Sequence, residues 1–185
     1  MAYRNGTYVA FHADGTNRPG QSDMDYYRLM CAWSANPDDD FTLINSHEKA
    51  SAVRDTSLRE TLRRSLKERF SNSRNMVLII GETTRLDTDW VPYEITLAVD
   101  IYKIPIIAAY TITQKPIRQP SYLSGYWPTA LADRINNNTA SVIHVPFNKA
   151  ALQDAMSQFS HNKLPLGGGL GFYSNEAYKS FGIDG

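Results

Sequence analysis

The chain has 185 residues, 42% of them hydrophobic, and its 19 Lys and Arg residues balance 19 Asp and Glu residues. This length predicts one domain with a sizeable core. The balanced charge argues against partners held by bulk electrostatics, so we expect neither a nucleic-acid nor a membrane partner. The single cysteine, Cys31, excludes an intrachain disulfide, and no apolar run has the length of a signal peptide or membrane span. We therefore expect a cytoplasmic protein.

Strands and helices are predicted to alternate along the chain. Short apolar runs predict five strands, at residues 8–12, 41–45, 76–80, 105–110 and 141–145. Apolar residues at helical spacing predict helices at residues 23–33, 57–70, 90–102 and 149–159. Ser57 and Glu60 have the spacing of a capping box at the start of the second helix. Residues 114–140 receive no assignment.

This alternation is typical of βαβ crossovers and a parallel sheet. We predict an α/β, flavodoxin-like, doubly wound fold whose five-stranded sheet has the order 2-1-3-4-5, with helices on both faces. Ligands of such folds bind outside the carboxyl ends of the strands, at the switch point between the first and third strands. The fold therefore nominates two segments for function, the loop at 12–22 and the loop and helix at 81–97.

Glu94 does not fit its surroundings in the predicted helix at 90–102. At about 100° per residue, five apolar residues flank it on the helical wheel: Trp90, Val91, Leu97, Ala98 and Ile101. Thr88 or Asp89 is expected to cap the helix start. A structural interpretation pairs Glu94 with a neighbouring arginine. Because Glu94 also lies at the predicted crevice, where carboxylates are recurrent catalytic groups, we favour a functional role.

Two segments carry a resemblance to a known family. Residues 77–84 form an apolar strand that ends in Ile-Gly and leads into a threonine-containing loop, and residues 90–95 read Trp-Val-Pro-Tyr-Glu-Ile. Together with Phe11-His12 after the first strand, they resemble the TIR-like domains of prokaryotic antiphage defence, of which the TIR-like subunits of Thoeris systems are the best-known members. The resemblance extends to about residue 113.

The resemblance implies an activity and a site. It makes Glu94 the catalytic residue of an enzyme that cleaves NAD⁺, with Phe11, His12, Trp90 and Tyr93 as substrate-binding residues. NAD⁺ is then a substrate, and neither a cofactor nor a metal is expected. The resemblance further implies a product of the cyclic ADP-ribose type, a downstream effector reached through this diffusible signal, and possible self-assembly.

Two alternatives of other classes stay open. A non-catalytic TIR-type adaptor module would share the fold, and a sensor would bind a nucleotide without cleaving it. A receiver domain would need an aspartate after the third strand, where this chain has Gly81-Glu82. The histidines and Cys31 lack the spacing of a zinc site. The basic residues of the second predicted helix are interpreted as a solvated face.

The chain is predicted to divide near residue 163. Residues 1–163 would form the TIR-like domain. Gly167 to Gly171 follow Pro165 rather than a strand, so we interpret them as a flexible connector rather than a nucleotide-binding loop. Residues 164–185 would then be this connector and an aromatic segment that packs on the body or on a partner.

Overall fold

The computed structural model describes residues 4–13, 23–39, 43–44 and 56–185. The strands are β1 Gly6–Ala10, β2 Leu43–Ile44, β3 Ser73–Ile80, β4 Ile106–Tyr110, β5 Val142–Pro146 and β6 Gly171–Phe172. The helices are α1 Met24–Ala35, α2 Thr56–Ser71, α3 Trp90–Thr96, α4 Thr129–Asn136, α5 Lys149–Gln158 and α6 Asn175–Ser180. Most of the loop at 12–22 and the side chain of Ser57, with its predicted capping box, lie outside the described residues.

The strands form one parallel sheet with the order β2-β1-β3-β4-β5-β6. The predicted order 2-1-3-4-5 is confirmed, and the described residues contain a sixth strand, β6, which was not predicted. The order reverses between β1 and β3, where Val9 pairs with Val77. The switch point therefore lies where the sequence pattern placed it.

Each face of the sheet is covered by its own apolar cluster. On β3, Met76, Leu78 and Ile80 face the cluster that includes residues of α2, α3 and α4. Val77 and Ile79 face the cluster that includes residues of α1, α5 and α6. All five side chains are fully buried, which explains why this strand has a continuous apolar sequence rather than an alternating one.

Two segments on the sheet face that α2, α3 and α4 cover have structure that was not predicted. The helix predicted over 90–102 is α-helical in α3 and then continues as a π-helical turn, Leu97–Ile101. Such π turns are frequent at functional sites. The unassigned stretch 114–140 contains a 3₁₀ helix, Pro120–Tyr126, and α4. Among the described helices, none is long and apolar enough to cross a membrane.

The glycine-rich segment is part of the fold and not a flexible connector. Gly171 begins β6 and pairs with Ile143 of β5. A Cβ atom on Gly171 would lie 2.6 Å from the carbonyl oxygens of Leu166 and Val142, so this close approach requires glycine. Beyond it, Tyr173 and Tyr178 are buried in the second apolar cluster. The aromatic segment thus packs on the body, while the division of the chain at residue 163 stays a prediction.

A buried polar network joins this segment to the sheet. Trp127 Nε1 donates to the Tyr110 hydroxyl over 2.7 Å, Tyr110 Oη lies 2.8 Å from His144 Nδ1, and His144 Nε2 lies 2.9 Å from Gly169 O. Burial lowers the pKa of His144 to about 4, so the imidazole is neutral. Because the Gly169 carbonyl only accepts, Nε2 carries the proton and Nδ1 accepts from Tyr110.

This network predicts a pH-dependent stability. The pKa of His144 is about 4 in the folded protein and 6.5 without burial, so the unfolded chain binds more protons between these values. The free energy of unfolding of wild type should therefore rise from pH 4 to pH 6.5, with His144 contributing about 3 kcal/mol. Urea unfolding of wild type and His144→Gln at several pH values in this range gives the free energy of unfolding of each protein. The contribution of His144 is the amount by which this free energy rises more with pH in wild type than in the variant. Parallel pH dependence in the two proteins would contradict it.

Candidate active site

Glu94 lies one turn into α3, the helix that follows β3 and starts at the carboxyl edge of the sheet. Its side chain is fully buried, with 0% exposure. Trp90, Val91 and Ile95 of the same helix are also buried. The prediction that Glu94 lies on a buried apolar face is therefore confirmed for its neighbours Trp90, Val91, Leu97 and Ala98. It is wrong for Ile101, which is exposed at the end of the π-helical turn. A carboxylate in such surroundings needs specific polar partners.

One partner of Glu94 is Tyr8, in the middle of β1. The Tyr8 hydroxyl donates a hydrogen bond to Glu94 Oε1, and both side chains are fully buried. Burial and, after it, the charge of Glu94 raise the pKa of the Tyr8 hydroxyl well above its usual value. Tyr8 therefore remains a donor at physiological pH. Sequence reasoning missed this residue because its apolar strand setting made it look like ordinary core.

Trp90 and Tyr93 lie beside Glu94 on α3 and are covered by arginines of α2. The Arg59 guanidinium lies 5.2 Å from the Trp90 ring centroid, and it also forms an ion pair with Asp89. The Arg63 guanidinium lies 5.2 Å from the Tyr93 ring centroid. Two cations of the helix predicted to present a solvated face are thus directed at the candidate site, where their attraction to the ring faces is favourable.

Phe11 lies on the opposite side of the sheet from Glu94. Its ring stacks on Tyr27 of α1, with centroids 4.7 Å apart, and both belong to the second apolar cluster. Glu94 instead contacts Tyr8, which belongs to the first cluster. Of the five residues that the resemblance nominates, the structure therefore places Phe11 apart from the three on α3.

His12 reaches α3 through Asp87, which the sequence did not single out. His12 Nδ1 lies 3.2 Å from Asp87 Oδ2, while Asp87 Oδ1 accepts from the backbone N–H groups of Asp89 and Trp90. Burial alone would raise the pKa of the Asp87 carboxyl, but these hydrogen bonds outweigh it and lower the pKa. Asp87, rather than the expected Thr88 or Asp89, thus satisfies backbone donors at the start of α3.

The hydroxyl group of Thr84 holds two chain segments together at the switch point. The buried Thr84 hydroxyl donates to Asp23 Oδ2 over 2.7 Å and accepts from the N–H of Gly81 over 2.8 Å. A Cβ atom on Gly81 would clash with Asp23 Oδ1 and would lie 3.2 Å from Thr111 Oγ1. The Ile-Gly end of β3 therefore has a physical reason: glycine leaves room for the Asp23 carboxylate between the chain segments that follow β1, β3 and β4.

The chain is similar to one known protein family. The model of one family, described as Thoeris protein ThsB, TIR-like domain, matches residues 8–116, which is more than half of the chain. The chain belongs to this family. No curated protein matches it. Membership confirms the resemblance drawn from residues 77–95 and makes the protein a TIR-type module of Thoeris antiphage defence.

The match of this ThsB TIR-like domain runs from Tyr8 past β4 and contains all of the nominated residues. It also contains Asp87, Arg59 and Arg63, which the structure adds to the site. No group of three or more His, Cys, Asp or Glu side chains suited to a metal ion occurs in the described ranges. The assignment of individual roles to Glu94 and its neighbours stays a prediction.

The Asp87 contacts predict how the start of α3 depends on one side chain. Asp87→Ala removes the acceptor for two backbone amides and the His12 partner, and it should lower the free energy of unfolding by about 1–2 kcal/mol. Asp87→Asn keeps an amide oxygen as acceptor and should lose less. Urea unfolding of both variants at neutral pH tests the order, and equal stability of the two would contradict the capping role.

The space at Gly81 predicts a second effect. In the ThsB TIR-like domain, Gly81→Ala forces a methyl group against the Asp23 carboxylate, so the protein should lose about 1–3 kcal/mol of unfolding free energy. Gly125→Ala is the matched control, because nothing lies within 4 Å of a Cβ atom there. Thermal unfolding of both variants measures the difference. If both melt at the same temperature, the close approach at Gly81 is not what requires glycine.

Proposed function

We propose that this protein cleaves NAD⁺ between nicotinamide and ribose, with Glu94 as the catalytic carboxylate, and that it forms a cyclic ADP-ribose-type nucleotide as a signal for an effector. The observation that carries the proposal is a carboxylate held in a buried setting at the switch point of a TIR-like sheet. Carboxylates at this crevice of a fold are recurrent catalytic groups.

Trp90 supports ligand binding at the same place. Its indole Nε1 is buried, and in the part of the chain that the structure describes it has no hydrogen-bond acceptor. Buried donors are seldom left without a partner. Trp90 precedes Glu94 by four residues, so both side chains project from one side of α3. A ligand whose acceptor group pairs with Trp90 Nε1 would lie next to Glu94.

The chemistry of NAD⁺ suits this arrangement. Its nicotinamide is already cationic and leaves without a general acid, so the reaction needs stabilisation of an oxocarbenium-like transition state. A carboxylate in a low-dielectric site supplies this stabilisation, or it binds a ribose hydroxyl. The guanidinium groups of Arg59 and Arg63, which lie over the α3 aromatics, would attract the diphosphate. Water as acceptor gives ADP-ribose, whereas an adenine nitrogen or ribose hydroxyl of the same molecule gives a cyclic product.

The proposal includes how NAD⁺ reaches Glu94. Because Glu94 is fully buried, NAD⁺ reaches it only after the side chains that cover it move. The active form is therefore a triggered or self-assembled one. The same burial is the observation that favours the second candidate, a non-catalytic TIR-type module in which Glu94 serves the core.

Nicotinamide release tests the activity. Purified protein, alone and under conditions that induce self-assembly, is incubated with NAD⁺, and nicotinamide and the adenine products are separated by chromatography. We expect nicotinamide and a cyclised product from the assembled protein, and a loss of about 100-fold or more in Glu94→Gln because transition-state stabilisation is removed. Glu82→Gln, at an exposed glutamate in the loop after β3, is the matched control and should retain activity.

The outcomes separate the parts of the proposal. Full activity of Glu94→Gln would overturn the assignment of the carboxylate. ADP-ribose as the sole product would overturn the cyclising step. Absence of nicotinamide release from resting and assembled protein alike would favour the non-catalytic module.

A further inference from the structure

We propose that Tyr8 is the positioning residue of the site: its hydroxyl holds the Glu94 carboxylate in one orientation and in its ionised form. The catalytic consequence rests on the proposed function, whereas the effect on Glu94 itself does not. Tyr8 is not a nominated site residue, and 86 positions separate it from Glu94.

The Tyr8 ring is held rigidly by its surroundings. It lies on β1 between two neighbouring strands, where it is in register with Ile44 of β2 and Met76 of β3. Its ring stacks on Phe70 of α2, with centroids 4.1 Å apart. The side chain is fully buried, so close packing restricts it to a single rotamer. The position of the hydroxyl is therefore set by the sheet and by α2, and not by α3.

The hydrogen bond from Tyr8 favours the charged form of Glu94. The Tyr8 hydroxyl stays protonated, because burial raises its pKa. It therefore donates a hydrogen bond to Glu94 Oε1. The positive charge of Arg69 of α2 lowers the pKa of the Tyr8 hydroxyl and so opposes burial. Tyr27 of α1 raises that pKa weakly. A hydrogen-bond donor favours a carboxylate over a carboxylic acid and so opposes the effect of burial on Glu94.

A direct measurement is the titration of Glu94. Protein labelled with ¹³C at the glutamate carboxyl carbons is titrated by NMR, and the Glu94 signal is assigned by its absence in Glu94→Gln. Tyr8→Phe removes one oxygen and keeps the ring. The pKa of Glu94 should be higher in Tyr8→Phe than in wild type by about one pH unit, because a hydrogen bond to a charged group is lost.

Tyr102→Phe is the matched control. Tyr102 stacks on the same Phe70, with centroids 6.0 Å apart, but its hydroxyl donates to the backbone oxygen of Lys67 over 2.8 Å. Removing that hydroxyl should leave the titration of Glu94 unchanged. An unchanged Glu94 pKa in Tyr8→Phe, or an equal rise in Tyr102→Phe, would overturn the positioning role.

Kinetics separates this inference from the proposed function. If wild type releases nicotinamide, Tyr8→Phe should lower kcat about tenfold with little change in KM, and the acidic limb of the pH profile of kcat should move upward with the Glu94 pKa. A kcat equal to or above that of wild type would overturn the catalytic part. If wild type releases no nicotinamide, the proposed function fails, and the titration alone decides whether Tyr8 holds the carboxylate.

Discussion

A carboxylate inside an apolar core is stable only if its neighbours replace the water it has lost. Glu94 meets this requirement through elements that are far apart in sequence. Strand β1 supplies the Tyr8 hydroxyl, and α2 supplies the Phe70 ring that holds Tyr8 in place. The position of α3 on the sheet is therefore coupled to β1 and α2 through the hydrogen bond between Tyr8 and Glu94. This contact favours a single arrangement of the three elements, because sliding α3 along the sheet would break it.

The edge of the sheet around Glu94 is likewise held by side chains. Asp87 ties the start of α3 to His12 at the end of β1. Asp23 and Thr84 tie the start of α1 to the loop after β3. Carboxylates accept strong hydrogen bonds, and here Asp87 accepts from two backbone amides and Asp23 from the Thr84 hydroxyl, so that both hold loops in place. These hydrogen bonds fix the relative positions of the loops and helix starts around the crevice. Side chains of a site there can therefore be held in a defined geometry.

The fold does not end where the family match ends. Residues after 116 supply β5, β6 and the helices α4 to α6. The Tyr178 hydroxyl accepts from the N–H of Ile117 over 3.2 Å and donates to its carbonyl over 3.1 Å, so α6 is attached to the chain just beyond β4. His144 makes a comparable attachment to the glycine-rich segment. The carboxyl-terminal part of the chain therefore belongs to the same core, with α4 on one face of the sheet and α5 and α6 on the other.

The sequence by itself determined the strand order, the approximate extent of α1, α2 and α5, the family and the anomaly of Glu94. These follow from local periodicity and from short motifs, because a residue's place on a helix or strand depends on its near neighbours. Only the tertiary structure decided the partners: Tyr8 for Glu94, Asp87 for His12, arginines over Trp90 and Tyr93, and Phe11 on the other face of the sheet. It also decided that the glycine-rich segment forms a strand, because its need for glycine comes from backbone atoms of β5 and not from its own sequence. Contacts between distant residues depend on how the elements pack, and no local pattern contains that information.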